Sequence, residues 1–101
     1  MEFKILFSDQ ALSDLEEIMD YVARGDPEAA HRLGQSTVDH VGMLRTFPFI
    51  GTVVPKWPLV RKLFHTPYKI YYRIHTRRRV IEILHFWHSA RLEPPKSSMV
   101  E

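Results

Sequence analysis

Cysteine is absent from this 101-residue chain, so there is no disulfide framework, no thiolate nucleophile and no thiolate metal site. Long apolar runs are absent as well, and nothing approaches the roughly 20 residues needed to cross a bilayer. The N-terminus, MEFKILFSDQ, has an acid at position 2 and too few apolar residues for a signal peptide, so no membrane association and a cytoplasmic location are expected. Acidic residues are scarce in the second half. Residues 56–101 hold three Asp or Glu against ten Lys or Arg, a net +7, whereas residues 1–55 hold nine against four, a net −5. The overall charge of +2 hides this split, which points to an anionic or acidic partner for the C-terminal half.

What is present describes one folded unit. Hydrophobic residues make up 45% and charged residues 26%, values that exclude wholesale disorder, and the length suits a single core. The domain is expected to span 1–91. The remainder, 92–101, reads LEPPKSSMVE and is expected to be a polar, partly mobile tail.

The first segment, 2–7 (EFKILF), reads as a short strand. Ser8 then supplies an N-cap for a helix over about 9–24, with Leu12, Leu15, Ile18, Met19 and Val22 as its apolar stripe and Asp14, Glu16, Glu17 and Asp20 turned away. Arg24-Gly25-Asp26-Pro27 ends that helix and starts another, with Gly25 suited to the left-handed closing position, Asp26 to the cap and Pro27 to the first turn. In the second helix Ala30, Leu33, Thr37, Val41 and Leu44 form the stripe, and Phe47-Pro48 marks its end.

Residues 48–58 contain three prolines and one glycine and read as a linking loop whose Phe49, Ile50, Val53 and Trp57 fold back onto the core. From Leu59 to Arg91, three runs rich in Ile, Val, Tyr and Phe are broken at 65–67 and 75–78, the pattern of an antiparallel meander. Along 68–75, Ile70, Tyr72 and Ile74 fall on one face and Lys69, Tyr71, Arg73 and His75 on the other. The last run blurs its alternation at Leu84, Phe86 and Trp87, which predicts a bulge or burial on both faces. The order β-α-α-β-β-β gives an α+β fold: an antiparallel sheet with a helical hairpin on one face and an open, basic opposite face. The first strand and the next are expected to run antiparallel.

Six histidines raise the question of a metal, but His85 and His88 lie three apart on a strand and leave from opposite faces. Neither a metal site nor any cofactor is expected. Trp57 and Trp87 read as packing residues.

Val60-Arg61-Lys62-Leu63, Pro67-Tyr68-Lys69-Ile70-Tyr71-Tyr72-Arg73-Ile74, Ile81-Glu82-Ile83-Leu84 and His88-Ser89-Ala90-Arg91, in that order, resemble the RelE/ParE family of toxins from bacterial type II toxin–antitoxin systems, and more closely its ParE branch. The resemblance implies a toxin neutralised by a cognate antitoxin, with which it forms a hetero-oligomer. In the ParE branch it implies DNA gyrase as a target that is bound, not cleaved. In the RelE branch it implies a ribosome-dependent endoribonuclease acting on mRNA.

RNA cleavage requires proton handlers and cations around a phosphate, for which His88 and Tyr71 with Arg61, Lys69, Arg73 and Arg91 are the candidates. The lysine-rich positions of active RelE members lack a clear counterpart, so the reading leans away from an enzyme. As a binding surface, Arg61, Lys69, Arg73, His88 and Arg91 would contact target or antitoxin. Against any such role, Arg61 and Arg73 have a structural reading as cross-strand partners of Glu82, and His88 as a cap on the last strand. A nucleic-acid-binding module is the remaining alternative.

Overall fold

The computed structural model describes residues 2–95 and 99. Strand β1 (Lys4–Phe7) leads directly into helix α1 (Asp9–Gly25). Ser8 makes the turn in an extended conformation: its Oγ accepts from the Ala11 N–H at 3.0 Å and donates to the Leu84 carbonyl at 3.2 Å, anchoring the helix start to the last strand.

Helix α2 (Pro27–Gly42) follows with no intervening loop. Asp26 serves both helices, its N–H closing α1 on Val22 while its carboxylate caps α2 at the Ala29 N–H. Gly25 does not adopt the left-handed conformation, because extended Asp26 performs the reversal instead. A 3-10 turn, Met43–Arg45, ends the helical region just short of Phe47-Pro48.

The sheet has five strands in the order β1-β5-β4-β3-β2: β2 (Thr52–Val54), β3 (Trp57–His65), β4 (Tyr68–His75) and β5 (Val80–His88) besides β1. The α+β architecture, hairpin and meander are as expected. Two features were not. The segment 48–58 contributes the short edge strand β2 and the beginning of β3. In addition, β1 pairs in parallel with β5, from Lys4↔Val80 to Phe7↔Ile83, so the sheet is mixed. The strand expected from residue 59 onward lies in β3, and it runs the same way as β1 instead of antiparallel to it, because the unexpected β2 supplies an extra reversal after the helices.

The helices cover one face of the sheet. Ala11 and Val41, with Leu44 from the 3-10 turn, meet Leu63, Ile70, Tyr72, Ile81, Ile83 and Phe86 in the main core. The α1 stripe is rotated from expectation: Leu12 is exposed, and Asp14 faces inward. Phe49, Ile50 and Val53 also stay exposed, so only Trp57 of that set is buried. The loop is held by polar contacts in their place. Tyr72 donates from its hydroxyl to the Pro48 carbonyl at 2.7 Å and accepts from the Gly51 N–H at 3.0 Å.

The opposite face departs further from the open surface expected. A second core of Val54, Trp57, Val60, Tyr71, Leu84 and Trp87 lies there, joined by the buried Met99. The predicted irregularity in β5 occurs at Tyr71/Tyr72, where pairing shifts from Tyr71↔His85 to Tyr72↔Ile83 and leaves Leu84 as the extra residue. Both faces of β5 are therefore buried.

Candidate functional site

Strand alternation divides the six residues singled out from sequence between two faces. Lys69, Tyr71 and Arg73 leave β4 away from the helices. Tyr71 is fully buried in the second core, and burial, then the nearby Glu93 carboxylate, pushes its phenol above the ordinary 10.0. Arg73 is buried beside it, at 7% exposure, and donates to the Met99 carbonyl at 2.7 Å. Its register partner Glu82 instead meets His75, Nε2 to Oε1, at 3.0 Å.

Arg61 lies on the other side. Two positions before the helix-facing Leu63, it donates to the Gly51 carbonyl at 2.8 Å and the Phe49 carbonyl at 3.2 Å, with its guanidinium 5.1 Å from the Phe49 ring. It thus secures the loop before β2 and does not join the cations of the far face. His88 also falls on the helix side, at the exposed end of β5. Its ring meets Tyr68 edge-on at 5.4 Å, and its Nδ1 accepts from the Ala90 N–H at 3.0 Å, the geometry of the strand cap proposed as its structural reading.

On the far face, cross-strand register places three side chains in a row: Phe64↔Lys69 and Lys69↔Trp87. Phe64 is 51% exposed, an unusual state for a central-strand phenylalanine, and the Lys62 ammonium lies 5.6 Å from its ring. The Arg91 guanidinium stacks 3.7 Å from the ring of Trp87. Phe64, Lys62, Lys69 and Arg91 therefore form a cation-and-aromatic surface, suited to carboxylates flanked by apolar groups. Phe64 escaped sequence reasoning, although an apolar residue out of step with Leu63 was the available signal; Lys62 was legible as one of the strand cations but not as a member of this row.

Next to this row, an open groove of about 640 Å³ runs between Lys56 and Trp57 on one side and Leu92, Glu93 and Pro94 on the other. Its walls are tied by the Lys56–Glu93 ion pair at 3.5 Å and by the Trp87 indole N–H donating to the Leu92 carbonyl at 2.6 Å.

The other feature missed is a buried polar pair. His85 Nδ1 lies 2.7 Å from Asp14 Oδ2, which also accepts from the Phe86 N–H at 3.2 Å. β1 ends opposite Ile83, so the Asp14 carboxylate replaces a strand partner for the next stretch of β5. His85 Nε2 is itself buried without a hydrogen-bond partner among the described residues, which keeps this pair from handling protons at the surface.

A helical hairpin on one face of a mixed sheet, with a cationic and aromatic patch on the other, defines the class: a small α+β domain of the RelE/ParE fold. A family model described as the ParE toxin of type II toxin–antitoxin systems matches residues 5–93, and the chain belongs to that family. Among solved structures it is similar to the chromosomal ParDE toxin–antitoxin system of P. aeruginosa, with 27% identity over 86% of this chain and 96% of the other at a TM-score of 0.72. The RelBE2 toxin–antitoxin complex of Mycobacterium tuberculosis shares the fold at 19% identity, covering 87% of this chain and 99% of that one, with a TM-score of 0.67. No match was found among curated proteins. Among the described residues, no helix is long and apolar enough to cross a membrane.

Proposed function

We propose that this ParE-family toxin arrests growth by binding a topoisomerase-class enzyme, DNA gyrase, without cleaving RNA, and that a cognate antitoxin neutralises it in the cytoplasm. The observation that carries this reading is the dispersal of the groups a ribonuclease would have to bring together. Tyr71 and Arg73 are buried on the far face, Arg61 is engaged with a loop, and His88 caps a turn on the helix side. General acid–base cleavage needs a base and an acid within hydrogen-bond reach of one phosphate, with cations around it.

Lys62, Phe64, Lys69 and Arg91, by contrast, are arranged for binding, and they supply the contact surface in this reading. Support for an antitoxin partner comes from the P. aeruginosa and M. tuberculosis relatives, both solved as toxin–antitoxin systems. The +7 half of the chain complements an acidic, amphipathic segment.

Two assays on the purified toxin test the proposal. DNA supercoiling by gyrase is expected to fall with toxin concentration, while mRNA on programmed ribosomes stays intact. Ribosome-dependent mRNA cuts with unimpaired supercoiling would overturn it in favour of the RelE-type alternative.

A further inference from the structure

His40 on α2 and His65 at the end of β3 direct the same ring nitrogen at each other, Nδ1 to Nδ1, at 2.8 Å. Their ring planes are tilted by 55° with centroids 5.0 Å apart, so they meet through nitrogens and do not stack. Ser36, one turn before His40, lies behind His65: its Oγ is 3.1 Å from the Leu33 carbonyl, to which it can donate, and 3.2 Å from His65 Nε2. That arrangement favours the tautomer with the proton on Nε2, in which neutral His65 presents an unshared pair from Nδ1. In the metal-free protein the Nδ1–H of His40 answers it.

We propose that His40 and His65 form a two-imidazole site for a borderline divalent metal ion, Zn²⁺ or Cu²⁺, which replaces the shared proton and clasps α2 to the end of β3. Two nitrogens bound tetrahedrally at about 2.0–2.1 Å lie roughly 3.3 Å apart, so small ring rotations of the half-buried pair suffice to admit the ion. The hydroxyl on the far nitrogen of His65 is the outer contact that orients metal-binding imidazoles.

On binding, the His40 proton moves through solvent from Nδ1 to Nε2, leaving both Nδ1 pairs for the metal. Among the described residues no group of three His, Cys, Asp or Glu converges, so water completes the coordination and the ion exchanges freely. Sequence spacing could not reveal this site, because its ligands come from different elements 25 residues apart.

The test is a thermal melt of the untagged protein with increasing Zn²⁺, together with Cu²⁺ electron paramagnetic resonance. A rise in Tm is expected for the native chain and for the His31→Gln and His75→Gln controls, and its loss in His40→Gln and His65→Gln. The native Cu²⁺ spectrum should show two bound imidazole nitrogens, a readout independent of how the variants fold. Absence of a native Tm rise, its persistence in either ligand variant, or a spectrum with fewer than two nitrogens would each overturn the site.

Discussion

Asp14 and His85 stand 71 residues apart in the chain and share a 2.7 Å hydrogen bond in the interior. That contact fastens α1 to β5 where β1 has already ended, and it makes one carboxylate responsible for two donors, the His85 ring and the Phe86 N–H. Removing it by Asp14→Ala strands both donors away from water, at an expected cost of about 2–4 kcal/mol. Asp14→Asn retains an acceptor of the same shape and should cost less. Urea unfolding of the two variants measures the difference.

Gly51 and Tyr72 hold the loop before β2. A Cβ on Gly51 would stand 2.6 Å from the Tyr72 hydroxyl and 2.9 Å from the Lys62 carbonyl, a backbone atom that cannot swing aside. Gly51→Ala is therefore expected to destabilise the fold. Tyr72→Phe leaves the Gly51 N–H and the Pro48 carbonyl without their partner, at about 1–3 kcal/mol. Thermal melts should place both below the native protein.

Titration limits stability on both sides of neutrality. Burial raises the phenol pKa of Tyr71 and of Tyr72, the latter partly offset by the Gly51 N–H and Arg61. A raised folded-state value gives stability that is complete below the ordinary 10.0 and is lost as pH climbs through the folded value. His65 has the opposite sign: its lowered value gives stability present above 6.5 and lost as pH falls through the folded value. A Tm–pH profile should thus decline above pH 10 and below pH 6.5, and His65→Gln should flatten the acid limb alone.

The far-face row is predicted to bind without stabilising the fold. Lys69→Glu and Lys62→Glu place negative charge on half-exposed strand positions and should shift stability by no more than about 0.5 kcal/mol. Affinity for an acidic partner should fall at least tenfold, and the salt dependence of association should weaken. Calorimetry against the antitoxin at two ionic strengths measures both.

Much of the fold was legible in the sequence. Ser8, Asp26 and Pro27 mark helix starts through chemistry that depends only on neighbouring residues, and the meander follows from local alternation and its breaks. The sheet's second covered face was not legible, because Met99 reaches Arg73 from 26 residues away. Asp14 was read with the outward acids, yet it falls three residues after buried Ala11 and four before Ile18, on the inward face of α1. Its burial depends on His85, and no periodicity announces such a partner. The candidate cations were found as a set, but sequence could not show that Arg61 and Arg73 belong to opposite faces with different obligations.

The most direct test of binding against cleavage is growth arrest on induction of the double variant Tyr71→Phe, His88→Ala. The Tyr71 hydroxyl has no hydrogen-bond partner among the described residues, and exposed His88 contributes a turn contact and an edge-on contact with Tyr68 at the end of the sheet, so the variant should fold and retain its antitoxin. Arrest as strong as that of the native toxin is predicted. Loss of arrest in a variant that still folds and still binds antitoxin would contradict the account, because it would restore these two side chains to the chemistry of an RNA-cleaving site.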